Sequence, residues 1–191
     1  MKEVGIDAIS FDLPKIYLDI KDLAALRGIE AAKLEFGLGL KKMAFPDVHQ
    51  DVVVFAANAT RKLILQEGLK AEEIDRIYLG TESSFDASKP IASYLLQLLE
   101  ESIFEPGALE NCDVVDLTFA CIGGVDALQN SLDFVRANPG KKAIVVTTDI
   151  AKYDLASTGE YTQGAGALAM LVSENPKIIS FDQDWTVSTS G

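Results

Sequence analysis

The middle of the sequence predicts an α/β fold built on parallel strands, and three observations carry that expectation. From about Arg76 to Asp149 the pattern runs strand–helix–strand–helix–strand. Connections of this kind join parallel strands through right-handed crossovers. Within it, "KAIVVTTD" is an unbroken apolar, β-branched run, as expected of a strand covered on both faces. Finally, 48% of the 191 residues are apolar, enough for one core or for part of a larger one.

The elements follow in order. "EVGIDAISFDL" alternates apolar and polar residues and stops near Pro14, which reads as a strand. "DIKDLAALRG" is a short helix closed by Gly28, and a second short helix runs from Glu30 to Phe36 and ends in "GLGL". "FPDVHQDVVVFAANATRKLILQEGL" is the longest helical pattern. Val53, Ala56, Ala57, Thr60, Leu63 and Ile64 recur at helical spacing, and Gly68 stops it. "DRIYLGTESS" is a strand entering a loop. "KPIASYLLQLLEES" is helical, with Pro90 near the first turn, where its missing N–H matters little. "CDVVDLT" is a strand. The helix after it carries Val125, Leu128, Leu132 and Val135 on one stripe and ends at Pro139-Gly140. "GAGALAMLVSE" and "PKIISFDQDW" read as two further strands.

Composition excludes several functions. A formal charge of −12 argues against nucleic acid or an anionic membrane surface as the main partner. No run of 18 apolar residues is present, so no transmembrane helix is expected. The N-terminal stretch carries Glu3, Asp7 and Asp12 and does not read as a signal peptide. Two cysteines without an export signal suggest a reducing, cytoplasmic setting. The single histidine, His49, lies in the first turn of the long helical pattern and reads as a surface or capping residue, and no metal site is expected. "GEYTQGAGALAM" is glycine-rich but enters a strand, so it is not a phosphate loop.

In open α/β sheets, ligands bind beyond the carboxyl ends of the strands. Three reactive groups follow three strand ends: Glu82 after "IYLGT", Cys121 after "VVDLT" and Asp149 after "AIVVTT". Cys121 opens a helix and precedes Gly123 and Gly124. A thiol there is either a nucleophile whose pKa the helix start lowers, or a small buried residue. Cys112 has neither helix nor glycine beside it and reads as structural. Glu82 is a general acid/base or a solvated loop acid. Asp86 in the same loop reads as a helix cap. Asp149 is a site group or a polar anchor for the neighbouring loop, with Tyr153 close enough in sequence to turn toward the same edge.

Five stretches carry a resemblance: "VGIDAISFDLPKIYLDIKDLA", "GLGLKKMAFPDVHQDVV", "GTESSFDASKP", "FACIGGVDALQNSLDFV" and "VVTTDIAKYDLASTGEYTQGAGALAML". In order and spacing the chain resembles the 3-hydroxy-3-methylglutaryl-CoA synthases, which are thiolase-fold acyltransferases. The resemblance implies a thiolase-like fold, layered α-β-α, with residues 1–191 forming the N-terminal half of a five-layer αβαβα architecture. It implies that Cys121 carries an acetyl group and that Glu82 is the general acid/base. Asp149 would support substrate positioning, and Tyr153 and Thr162 would line the acyl and pantetheine region. Glu30 and Ala31 match a segment near the coenzyme. Acetyl-CoA and acetoacetyl-CoA would be substrates, with no resident cofactor, and the complete enzyme would be a homodimer of the mevalonate pathway. The resemblance also implies a histidine from a second half, and the sequence ends at "DWTVSTSG" before any such residue. Coenzyme A is polyanionic, so Arg27, Lys152 or the second half would supply positive charge. Three alternatives stay open: a homologue acting on carrier-protein-bound β-keto chains in polyketide β-branching, a non-catalytic half that assembles with a partner, and a thiol redox sensor.

Overall fold

The computed structural model describes residues 3–182. The strands are β1 (Val4–Asp12), β2 (Ile16–Asp19), β3 (Lys42–Phe45), β4 (Arg76–Gly80), β5 (Asp113–Leu117), β6 (Ala143–Ala151), β7 (Gly164–Glu174) and β8 (Ile179–Ser180). The helices are α1 (Ile20–Arg27), α2 (Val52–Glu67), α3 (Ile91–Ile103) and α4 (Gly123–Ala137). Six strands form one mixed sheet in the order β5-β4-β6-β7-β1-β8. As the crossover pattern predicts, β4 runs parallel to both β5 and β6, whereas β7 returns antiparallel beside β6 and pairs with β1.

Side-chain alternation builds a layer on each face. Ile77 and Leu79 of β4 and Ile144 and Val146 of β6 pack on one side with Phe55 and Leu63 of α2 and Leu95 and Leu99 of α3. Tyr78 and Val145 point to the other side and pack with Ala127, Leu132 and Val135 of α4. Residues Ala143 to Val146 are fully buried, which accounts for the unbroken apolar run of β6. Fully burying one such side chain contributes on the order of 1.5–3 kcal/mol.

The parallel register fixes the functional edge. Gly80 of β4 pairs with Leu117 of β5 and with Thr147 of β6. The chain leaves β4 and β5 at this level, whereas β6 runs on to Ala151 through its pairing with β7, so Asp149, expected after a strand end, lies within β6 just beyond that level. Gly80 also faces the first turn of α4 so closely that a Cβ there would lie 2.6 Å from Gly123 C and Gly124 N. This contact seats α4 directly against β4.

Three expected elements differ from the sequence reading. The long helix starts at Val52, because Lys42–Phe45 is a strand paired with Ile16–Asp19 and Asp51 caps the helix through Val54 N–H. His49 consequently sits in the turn before α2, exposed and 3.9 Å from the Asp47 carboxylate. The expected helix from Glu30 to Phe36 is instead a π-helical turn at Lys33–Gly37. Gly39 takes a left-handed conformation, and the Leu38 and Leu40 N–H groups both return to Leu34 O. The final strand shortens to Ile179–Ser180, and Arg136 then donates to the carbonyls of Phe181 and Asp182. The end of the expected strand, Gln183 to Trp185, lies outside the described residues. The hairpin β2–β3, α1 and the π turn enclose a small core of their own around Ile20, Leu23, Leu34 and Met43.

Candidate active site

This edge brings Glu82, Cys121 and Asp149 to one cleft of about 440 Å³. Asp149 is the anchor of this edge. Its Oδ1 accepts the backbone N–H of Glu82 at 2.7 Å, the Ser83 hydroxyl at 2.8 Å and the Thr81 hydroxyl at 3.2 Å. The Ser83 Oγ in turn accepts the N–H of Ile150 at 3.0 Å. One carboxylate oxygen of β6 thus holds the chain leaving β4 and fixes where Glu82 departs from the sheet. Thr81 and Ser83 were missed in the sequence, although "GTESS" holds both hydroxyls beside Glu82.

Cys121 follows Ala120, a non-glycine residue at φ 43°, and lies in the 3₁₀ turn Ala120–Ile122 ahead of α4. The thiol is exposed and lines the same cleft as the Glu82 side chain. Glu82, first as a hydrogen-bond acceptor and then through its charge, pushes the thiol pKa above its ordinary value. The expectation of a lowered pKa is therefore corrected. The helix proper begins two residues later, and an adjacent carboxylate outweighs its N-terminus. The amides of Ile122 and Gly123 both donate to Phe119 O, so neither is aimed at the cleft. Cys112, 8% exposed beneath α3, is pushed up to about 12 by burial and then by the charges of Asp113 and Asp75. Asp86 does not cap α3 as expected: it closes the preceding turn through the N–H groups of Ser88 and Lys89, which hold its carboxyl low, while Asp116 of β5 accepts the first N–H groups of α3, those of Ile91 and Ala92.

A second, more apolar cleft of about 380 Å³ adjoins the first and shares Ile150 to Tyr153 with it. Tyr153 and Lys152 line both. Thr162 sits apart from both clefts, in the turn Glu160–Thr162, where its hydroxyl donates to Gly159 O at 2.8 Å. Glu30 and Ala31 also lie outside the two clefts. Glu30 is exposed, 4.0 Å from Lys33, and Ala31 packs on the small core around Leu34. Arg27 lines the second cleft, but both of its forked donors are engaged by Glu160, at 2.8 and 2.6 Å. Its positive charge, which the sequence offered for coenzyme A, thus stands beside the negative charge of a carboxylate. No helix among the described residues is long and apolar enough to cross a membrane.

Two helices on one face of the sheet, a third on the other, and a cysteine at the head of that third helix define a thiolase-like fold. The family model for the hydroxymethylglutaryl-coenzyme A synthase N terminal region matches residues 1–177. The chain belongs to the hydroxymethylglutaryl-CoA synthase family. It is 41% identical over 181 residues to the hydroxymethylglutaryl-CoA synthase of Enterococcus faecalis, covering 95% of this chain and 45% of that protein. Among solved structures it resembles MvaS in complex with 3-hydroxy-3-methylglutaryl coenzyme A, with a TM-score of 0.86 and 38% identity over 96% of this chain and 43% of the other. It also resembles the HMG synthase of the curacin biosynthetic pathway in complex with acetyl donor-ACP, with a TM-score of 0.83 and 29% identity over 95% and 44% of the two chains. The chain thus spans less than half the length of these relatives.

Proposed function

We propose that this chain supplies the acyl-accepting half of a condensing acyltransferase, which joins acetyl-CoA to acetoacetyl-CoA and releases 3-hydroxy-3-methylglutaryl-CoA and free CoA. The observation that carries the reading is that Cys121 and Glu82 line one cleft, with the Glu82 backbone fixed by Asp149. In the first step the Cys121 sulfur attacks the acetyl thioester carbonyl and the C–S bond to CoA breaks. The thiol proton passes to Glu82 and from there to the departing CoA sulfur. Glu82 then removes a proton from the acetyl methyl group. The resulting enolate carbon bonds to the ketone carbon of acetoacetyl-CoA, and the alkoxide so formed takes up a proton. Water finally cleaves the bond to Cys121, returning the thiol and giving the product carboxylate.

The acceptor site and its histidine would come from sequence beyond the relatives' N-terminal portion. Phe119, Ile122 and Val125 are exposed at the head of α4, which supports the view that a further layer covers this face. We take the complete protein to be a homodimer acting in the cytoplasm within the mevalonate pathway, without a resident cofactor. Tyr153 and Thr162 belong to the proposed acyl and pantetheine region, and Glu30 and Ala31 to the proposed coenzyme segment.

The test is to incubate the natural protein containing this chain with labelled acetyl-CoA, digest it and map the label. Label on Cys121 is expected; label on Cys112, or none on either, refutes the reading. The second reading, an acyl group delivered on a carrier protein, is favoured by the likeness to the synthase solved with acetyl donor-ACP. Comparing acetyl-CoA with acetylated carrier protein as donor, at equal concentration, separates the two.

A further inference from the structure

Glu160 is 2% exposed, yet it lies in a surface segment between β6 and β7. Its carboxylate makes a bidentate pair with Arg27, and Oε2 also accepts the N–H of Ala156 at 3.0 Å. Ala156 is held at φ 59°, a conformation an alanine adopts only when its surroundings impose it. The same segment is tied at its ends. The N–H of Tyr153 donates to Gln163 Oε1 at 2.9 Å, and the Tyr153 ring lies against Gly159, where a Cβ would come within 2.9 Å of the ring. Tyr161 packs on the small core of α1. Arg27 is the last residue of α1, so this one pair joins the hairpin lobe to the segment that carries Tyr153. Both partners line the second cleft, between those two units.

A buried ion pair is weak evidence for stability, because desolvation offsets most of its attraction. Its geometric effect is clearer. A planar guanidinium gripping both carboxylate oxygens fixes distance and orientation together. We infer that Glu160, acting through Arg27, is a positioning residue that holds segment 152–163, which starts in the wall common to both clefts at Lys152 and Tyr153 and continues along the second, and so sets how tightly the acyl-thioester arm binds. The inference rests on the condensing reading for its ligand, though not for its geometry. Cys121, Glu82 and Asp149 lie on other segments and keep their own places when the clamp opens.

The experiment uses Glu160→Gln, which preserves size and the acceptor for Ala156 but removes the charge, and Arg27→Lys, which keeps charge but loses the fork. Two quantities are read in the natural protein containing this chain: acetyl-CoA-dependent labelling of Cys121, and amide hydrogen exchange by peptide. In Glu160→Gln, KM for acetyl-CoA should rise about ten- to hundredfold while the rate at saturation changes little, the pattern of lost binding rather than lost chemistry. Arg27→Lys should fall between it and the wild type. Exchange should quicken in 152–163 and in α1, and stay unchanged in α3. An unchanged KM, a loss confined to the saturated rate, or unchanged exchange in 152–163 overturns the inference. If the wild type itself does not label at Cys121, the condensing reading fails, and the exchange result alone decides whether the clamp holds the segment. If Glu160→Gln melts globally, Arg27→Lys carries the same comparison.

Discussion

Gly80→Ala tests the seating of α4 on β4. The new Cβ would lie 2.6 Å from Gly123 C and Gly124 N and 2.9 Å from Gly123 O, where ordinary contact begins at 3.4 Å. All three atoms are backbone, so no side chain can swing away. The first turn of α4 must retreat by about 0.8 Å, the difference between those distances. Overpacking of this kind destabilises by about 1–3 kcal/mol, and in a protein of this size each kcal/mol lowers Tm by roughly 2–4 °C. Cys121 precedes Gly123 by two residues and would be carried away from Glu82. A shift near 1 Å in a reacting group can slow a reaction by about 10²-fold. The assay pairs a thermal melt with the rate of Cys121 acetylation. Gly124→Ala is the control, because its Cβ meets a side-chain methyl, Thr147 Cγ2, at 2.6 Å. Adding Thr147→Ser removes that methyl and should restore Gly124→Ala, while nothing comparable restores Gly80→Ala. A Gly80→Ala protein with wild-type Tm and acetylation rate would refute the packing argument.

Other outcomes follow from the same edge. Glu82→Ala should slow Cys121 acetylation, because the thiol proton loses its acceptor, and should lose condensation by about 10²–10⁴-fold, the usual worth of a positioned acid/base; near-normal product formation removes Glu82 from that role. Because Glu82 raises the Cys121 pKa, Glu82→Gln should lower it, and the pH profile of iodoacetamide alkylation should move toward acid; a shift toward alkali contradicts the assigned cause. Cys112, with its pKa near 12, should stay unalkylated in the folded protein at neutral pH, as mass mapping of the modified thiols would show. Asp149→Ala strands three donors and should reduce condensation more than acetylation; full turnover in a folded variant ends its role as anchor.

The candidate site was legible because it depends on periodicity. Once β4, β5 and β6 are read as parallel, Gly80, Leu117 and Thr147 stand side by side, and the residues just beyond them, Glu82, Cys121 and Asp149, gather at one edge even though β6 itself runs on to Ala151. What was not legible depends on pairings distant in sequence. β2 and β3 are four residues each, separated by α1 and the π turn, so neither shows enough alternation to announce itself. Glu160 meets Arg27 across 133 positions, and nothing local in "GEYTQG" marks its carboxylate as buried. The direction of the Cys121 shift was missed for a similar reason. The helix start is visible in the sequence, whereas the carboxylate that overrides it comes from another strand end.

That override bears on the order of chemical events. A free thiolate at an exposed position would be the better resting nucleophile, and Glu82 works against it by holding the proton on sulfur. On the proposed reaction this arrangement has a use at every step. When the thioester carbonyl arrives, the proton leaves sulfur for the Glu82 carboxylate in the same cleft, so charge need not develop on sulfur ahead of attack. The departing CoA sulfur needs a proton, and Glu82 then holds it. Having given it up, Glu82 is again a carboxylate beside the acetyl-cysteine, the state required to take a proton from the acetyl methyl group. A lowered Cys121 pKa would break this sequence at its start, since the proton would be lost to solvent and Glu82 would have none to return. Asp149 serves the sequence without joining it. By fixing the Glu82 backbone at 2.7 Å, it keeps one carboxylate within reach of sulfur, leaving group and methyl in turn.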